Sequence, residues 1–165
     1  MSGVNILKYK EDLNIIQKEG KTHVFDPLRR KYVVLQPEEM VRQLFIQYLI
    51  QELKIPKKHI AVERQISING KLYRFDILVF NKTGQPKMIV ECKSHKIDLT
   101  EGAAIQASKY NMALKAEYLC LTNGKDSLFY KIDFDKGSIK RISFFRFSHL
   151  LPLTPKGEPT RNAKK

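Results

Sequence analysis

Arg74-Phe75-Asp76-Ile77-Leu78-Val79 is followed by Ile89-Val90-Glu91-Cys92-Lys93. Each stretch is an apolar, strand-like run that carries charge in its middle or at its end. Two carboxylates, Asp76 and Glu91, can share a hard divalent cation through oxygen ligands. A lysine two residues beyond the glutamate can stabilise a developing anion. Together these are the minimum groups for hydrolysing a phosphodiester with Mg2+ or Mn2+.

Strand geometry sharpens the grouping. Side chains two apart in a strand share a face, so Glu91 and Lys93 point the same way and Cys92 enters the opposite layer. A hairpin-like link brings Asp76 beside Glu91. Two such carboxylates repel, and a cation resolves the repulsion. The Cys92 carbonyl is available as a further oxygen ligand. Glu-x-Lys alone is equally the material of a cross-strand ion pair. The surrounding runs tilt the reading towards function. Ile77-Leu78-Val79-Phe80 and Met88-Ile89-Val90 are apolar on both faces, as in central strands, where charge is costly unless paired or used.

The elements that must position these residues follow from pattern. A helix is expected over residues 37–53, started by Pro37, Glu38 and Glu39, with Val41, Phe45 and Leu49 on its buried face. Strands are expected over 60–68, 72–80 and 87–93, the first two joined at Asn69-Gly70. A second helix is expected over 100–114, then strands over 116–122, 128–134 and 138–145. The opening 34 residues suggest a short helix near 11–18 and an extended piece near 32–35. This order predicts an α/β fold: a mixed β-sheet core flanked by helices, with the second helix crossing between neighbouring strands. One domain is expected over 1–153, with a basic, disordered tail over 154–165.

The chain has 165 residues and a net charge of +13. Four bases and one acid in the tail supply +3, so +10 resides on residues 1–153. That balance favours a polyanionic partner, nucleic acid first. No apolar run reaches the ~18–20 residues that span a bilayer, and no secretory signal is legible, so a cytoplasmic protein is expected. Cys92 and Cys120 sit in apolar runs, as buried free thiols. No phosphate-cradling glycine loop or nucleophilic triad is present.

The ordered stretches resemble one family. Val24 to Val33, Pro37 to Gln43, Tyr73 to Ile77, Glu91-Cys92-Lys93, Gln106 to Asn111 and Leu121 to Gly124 together resemble the N-terminal nuclease domain of type I restriction enzyme R subunits. That domain falls within the PD-(D/E)xK, restriction-endonuclease-like superfamily. The resemblance covers roughly residues 24–130. It implies that Asp76 and Glu91 bind Mg2+ or Mn2+, and that Lys93 orients the attacking water or stabilises the phosphorus centre. Gln106 and Tyr110, four apart on one helix face, match the helix motif after the core. They would contact the metal site or DNA, or else form a polar helix edge.

The superfamily often adds an acid from the first helix. Glu38 is favoured over Glu39, which the helical phase turns away from the apolar centre. Arg42 lies on the Glu38 side, to pair with that acid or touch phosphate. Arg64, Lys71, Arg74, Lys96 and Lys109 are candidate contacts to the DNA backbone. No helicase motor accompanies the matched stretches. The resemblance thus implies a DNA endonuclease-like domain, as a homodimer or with a separately encoded specificity or motor partner. The competing class is a non-catalytic nucleic-acid-binding module, which would have no use for an intact Asp76, Glu91 and Lys93 set.

Overall fold

The computed structural model describes residues 4–68 and 70–143. Its framework is a mixed six-stranded sheet with strands in sequence order: β4 (Ile60–Ile68), β5 (Lys71–Phe80), β6 (Pro86–Cys92), β7 (Tyr118–Thr122), β8 (Ser127–Asp133) and β9 (Ser138–Ile142). Every neighbouring pair is antiparallel except β6 and β7. A parallel pair needs a crossover, and helix α2 (Glu101–Tyr110) supplies it. A small antiparallel sheet precedes these: β1 (Ile15–Lys18), β2 (Lys21–Asp26) and β3 (Lys31–Val34).

The core lies on both faces of the large sheet. On one, Val41, Leu44, Phe45 and Leu49 of the first helical segment pack on Ile77, Val79, Met88 and Val90. On the other, Ala104 and Ala107 of α2 meet Phe75, Leu78, Ile89, Leu119 and Leu121. Leu44, Phe45, Ile46 and Leu49 are fully buried, each contributing about 1.5–3 kcal/mol relative to exposure. Cys92 and Cys120 are buried free thiols, as expected. Among the described residues no helix is long and apolar enough to cross a membrane.

Three expectations change. The expected helix near 11–18 is a 3-10 turn, Leu7–Asp12, followed by strand β1. Ile15 and Ile16 pair with Val24 and His23, and this cross-strand pairing overrides local helical preference. The first long helix, α1 (Pro37–Gln47), passes into a π turn over Tyr48–Glu52 before the chain turns towards Ile55-Pro56. The second helix stops at Tyr110, where buried Asn111 bonds both backbone groups of Ala116. Asn69 of the hairpin, residues 144 and 145 of the last expected strand, and the tail at 154–165 lie outside the described residues.

Candidate active site

The candidate residues gather where β5 and β6 part. The β5–β6 register begins at Ile77 opposite Val90, and extending it sets Asp76 opposite Glu91. In place of a further ladder bond, the Cys92 N–H donates to Asp76 Oδ2 at 2.8 Å. The β4–β5 ladder is interrupted at the same level, between the Val62–Ile77 and Arg64–Phe75 pairs. Glu63, within that gap, adopts φ +48°. Strict alternation in β5 breaks here as well. Phe75 and Leu78 lie in the core beneath α2, whereas Ile77 and Val79 lie in the core beneath α1. Asp76 thus sits at a local irregularity that frees its carboxylate from a regular pleat.

Strand β6 keeps its period of two. Met88, Val90 and Cys92 enter the α1-side core and Ile89 the other, so Glu91 and Lys93 share the Ile89 face. The Lys93 N–H donates to Thr122 O at 2.8 Å, which extends β6–β7 pairing past the strand end. Asn123 then steadies the loop beyond it. Its Nδ2 donates to Ile97 O at 2.9 Å, while its Oδ1 accepts from the Lys125 and Asp126 N–H groups.

Electrostatics distinguishes the two carboxylates. Burial, reinforced by the nearby charge of Asp76, pushes the Glu91 carboxyl up to about 7 against the partial relief of Lys93 and Arg42. Asp76 is differently supported, because Arg42 Nη2 donates to its Oδ1 at 2.8 Å. Burial alone would lower the Arg42 guanidinium, but the bond to Asp76 and the charges of Glu39 and Asp76 raise it. The Cys92 thiol is pushed up by burial and stays neutral.

Asp76 is one end of a wider ion network. Arg42 also bonds Glu39 and, at 3.3 Å, Glu63. Arg29, from the turn after β2, reaches Asp26 at 2.6 Å, Glu39 at 2.9 Å and Glu63. Buried Gln43 donates to Asp26 and Glu39. Burial works to raise the Asp26 carboxyl, but bonds from the Arg29 backbone and side chain and from the Leu28 N–H hold it below its usual range. Glu39 and Glu63 each bridge the two arginines, so the small sheet, α1, β4 and β5 are tied together at Asp76.

Two expectations about α1 are corrected. Glu39, not Glu38, joins the network, and Arg42 pairs with Glu39 rather than Glu38. Glu38 is exposed at the helix start. The cause is that α1 is covered on a second side. The turn bearing Arg29 and strand β4 bury the Glu39, Arg42 and Gln43 face, whose spacing of three and four places it on one stripe. Arg42 is only 6 % exposed, which removes it as a surface contact for phosphate.

Other candidates stay at the surface. Arg74 pairs with Glu63. Arg64, Lys96 and Lys109 are exposed, whereas nothing is described of the Lys71 side chain. Gln106 Nε2 donates to Tyr110 Oη at 3.1 Å, and the Tyr110 ring lies 5.1 Å from that of Tyr73. The side-chain contacts of this pair run to each other and to Tyr73 rather than to Asp76, Glu91 or Lys93. Sequence reasoning misses Asp26, Arg29, Gln43 and Glu63. Only the Glu39–Arg42–Gln43 spacing carries a signal.

Asp76, Glu91 and the Cys92 carbonyl are the donors at hand for a cation. Among the described residues no three or more His, Cys, Asp or Glu side chains are grouped to hold a metal. Two carboxylates and a backbone oxygen nevertheless fit a hard ion such as Mg2+, which retains several waters. Each Asp76 oxygen has one hydrogen bond and keeps a second lone pair for a cation.

A solved fragment assigned to the HsdR subunit of a type I restriction enzyme from Vibrio vulnificus YJ016 is 19% identical to this chain, with a TM-score of 0.49. The alignment covers 70% of this chain and 24% of that one, so this chain spans about a quarter of its length. No curated protein matches. Residues 37–145 match the family described as type I restriction enzyme R protein N terminus (HSDR_N). That match extends from the start of α1 past the end of β9 and contains Asp76, Glu91 and Lys93; the chain belongs to the type I restriction enzyme R protein N-terminal family.

Proposed function

We propose that this domain is a metal-dependent deoxyribonuclease that hydrolyses phosphodiester bonds with Mg2+ or Mn2+. The observation that carries the reading is the junction of β5 and β6. There, half-buried Glu91 faces the charge of Asp76 and shares its strand face with Lys93. Glu91 held up to about 7 is a group whose ionised form needs a positive partner. A bound divalent ion would supply Lewis-acid charge on the scissile phosphate and lower the pKa of a bound water. Asp76 and Glu91 would hold it. The Cys92 N–H and the Arg42 guanidinium fix the Asp76 carboxylate in place. Lys93, anchored through its backbone to Thr122, would present its ammonium to the phosphoryl oxygens as negative charge develops. The net charge of +13 suits DNA as the partner. Membership of a type I restriction family suits other, separately encoded subunits as further partners.

A second reading is favoured by one feature. Arg42 already serves as a counter-ion on Asp76, which suits a non-catalytic DNA-binding module. Titrating Mg2+ and Mn2+ into the protein with supercoiled and linear DNA, beside Lys93→Ala, separates the two. Metal-dependent nicking that disappears in Lys93→Ala supports the nuclease. Equal cleavage by both proteins overturns the assigned site. Salt-sensitive binding without cleavage by either selects the binding module or an enzyme that awaits a partner.

A further inference from the structure

The described residues also form a cleft that no part of the ion network lines. It measures about 380 Å³ and opens between the 3-10 turn at Leu7–Asp12, α1, and the loops after β6 and β7. That size lies in the range of small-molecule sites, roughly 300–1,000 Å³. Its floor is apolar, built from Leu35, Met40 and Leu44 among others. Its polar edge combines neutral Thr22 and Gln36 with Lys10, His95 and Lys125 from three segments distant in sequence, and among the described residues no Asp or Glu lines the cleft.

We propose that this cleft binds an amphipathic anion, a small molecule with an apolar body and one acidic head. The two halves of the lining select for that chemistry together. An apolar floor gains from an alkyl or aryl body, at about 25 cal/mol per Å² buried. The Lys10 and Lys125 ammonium groups at the rim attract an anionic head. A nucleic-acid backbone matches the rim but leaves the floor unfilled. A neutral apolar molecule matches the floor and leaves the rim without a partner. The walls are set in advance. The Ile6 N–H donates to Gly124 O at 3.2 Å and Asn123 pins the loop that carries His95. Preformed walls reduce the ordering cost of binding. The proposal stands apart from the nuclease reading.

The test is a titration of the whole chain with anilinonaphthalene sulfonate, followed by competition with octanoate, octanol and a dinucleotide. One probe per chain is expected, displaced by octanoate and not by octanol or the dinucleotide. The double variant Lys10→Glu, Lys125→Glu changes exposed side chains and should weaken the probe by about tenfold, which is about 1.4 kcal/mol. Met40→Trp, which fills the floor, should abolish the site while its circular dichroism melt stays cooperative. Unchanged affinity in the charge variant overturns the proposal. So does displacement by octanol or the dinucleotide at the octanoate concentration.

Discussion

Arg42 Nη2 and Asp76 Oδ1 meet at 2.8 Å, joining helix α1 to strand β5 at the point where both neighbouring ladders open. The contact gives α1 control over the carboxylate that sits at the strand irregularity. It also makes the orientation of Asp76 depend on Glu39, Glu63 and Arg29, which hold the guanidinium and its partners.

Removing Arg42 should therefore cost stability as well as order at Asp76. Arg42→Met preserves volume but leaves Asp76 with the Cys92 N–H alone, and Glu39 and Glu63 each short of one partner. Breaking one side of a buried ion pair costs about 3–5 kcal/mol, and that loss is expected in the urea midpoint. Arg42→Lys should recover only part of it, since an ammonium cannot bond three carboxylates through a planar fork. A midpoint within about 0.5 kcal/mol of the parent would show that the network does not hold the fold.

Glu91 predicts the sign of a pH effect. Its folded carboxyl titrates at about 7, above the ordinary range near 4.5. Between those values the folded protein keeps a proton that the unfolded chain has released. Stability from this group is complete below about pH 4.5, falls as pH rises through the window, and is lost above about 7. The limit is about 3 kcal/mol, less what solvent screening removes from a half-buried group. Unfolding curves of the parent minus those of Glu91→Gln, without divalent metal, should show this decline. A flat difference from about pH 4.5 to 8 would mean that Glu91 titrates normally.

Much of this arrangement is legible in the residue pattern. Runs that are apolar on both faces locate β5 and β6, and the strand period of two places Glu91 and Lys93 on one face and Cys92 on the other. Pro37 with its two following acids marks the start of α1. The acid that joins the network is not legible, because choosing Glu39 over Glu38 requires knowing that a second surface covers α1. That surface comes from Arg29 and Glu63, which lie 34 residues apart. Glu63 also adopts a left-handed backbone that no glycine or asparagine announces. Likewise, residues 15 and 16 form a strand because Val24 and His23 are there to pair with them.

Asn111 ends α2 and starts the return to β7. Fully buried, it donates to Ala116 O at 2.6 Å and accepts from the Ala116 N–H at 2.9 Å. Asn111→Ala leaves both backbone groups without a partner in a dry position. Each unsatisfied group costs about 1–3 kcal/mol, so a loss of about 2 kcal/mol or more is expected. Amide exchange should report it at Ala116 and along the end of α2, more than at β4.

Gly124 tests the turn that seats the first residues against the sheet. It adopts φ +93°, where an L side chain is strained. A Cβ there would also meet Leu7 Cδ2 at 3.4 Å and Val41 Cγ2 at 3.5 Å, which is ordinary contact. Backbone strain rather than collision should therefore set the cost of Gly124→Ala, about 1–3 kcal/mol. The neighbouring bond from the Ile6 N–H to Gly124 O gives a local readout. Faster amide exchange at Ile6, beside a lowered melting temperature, is the expected pair of results. A lowered melting temperature with Ile6 unchanged would place the strain in the β7–β8 turn alone. No change in either would show that the turn accommodates a side chain freely.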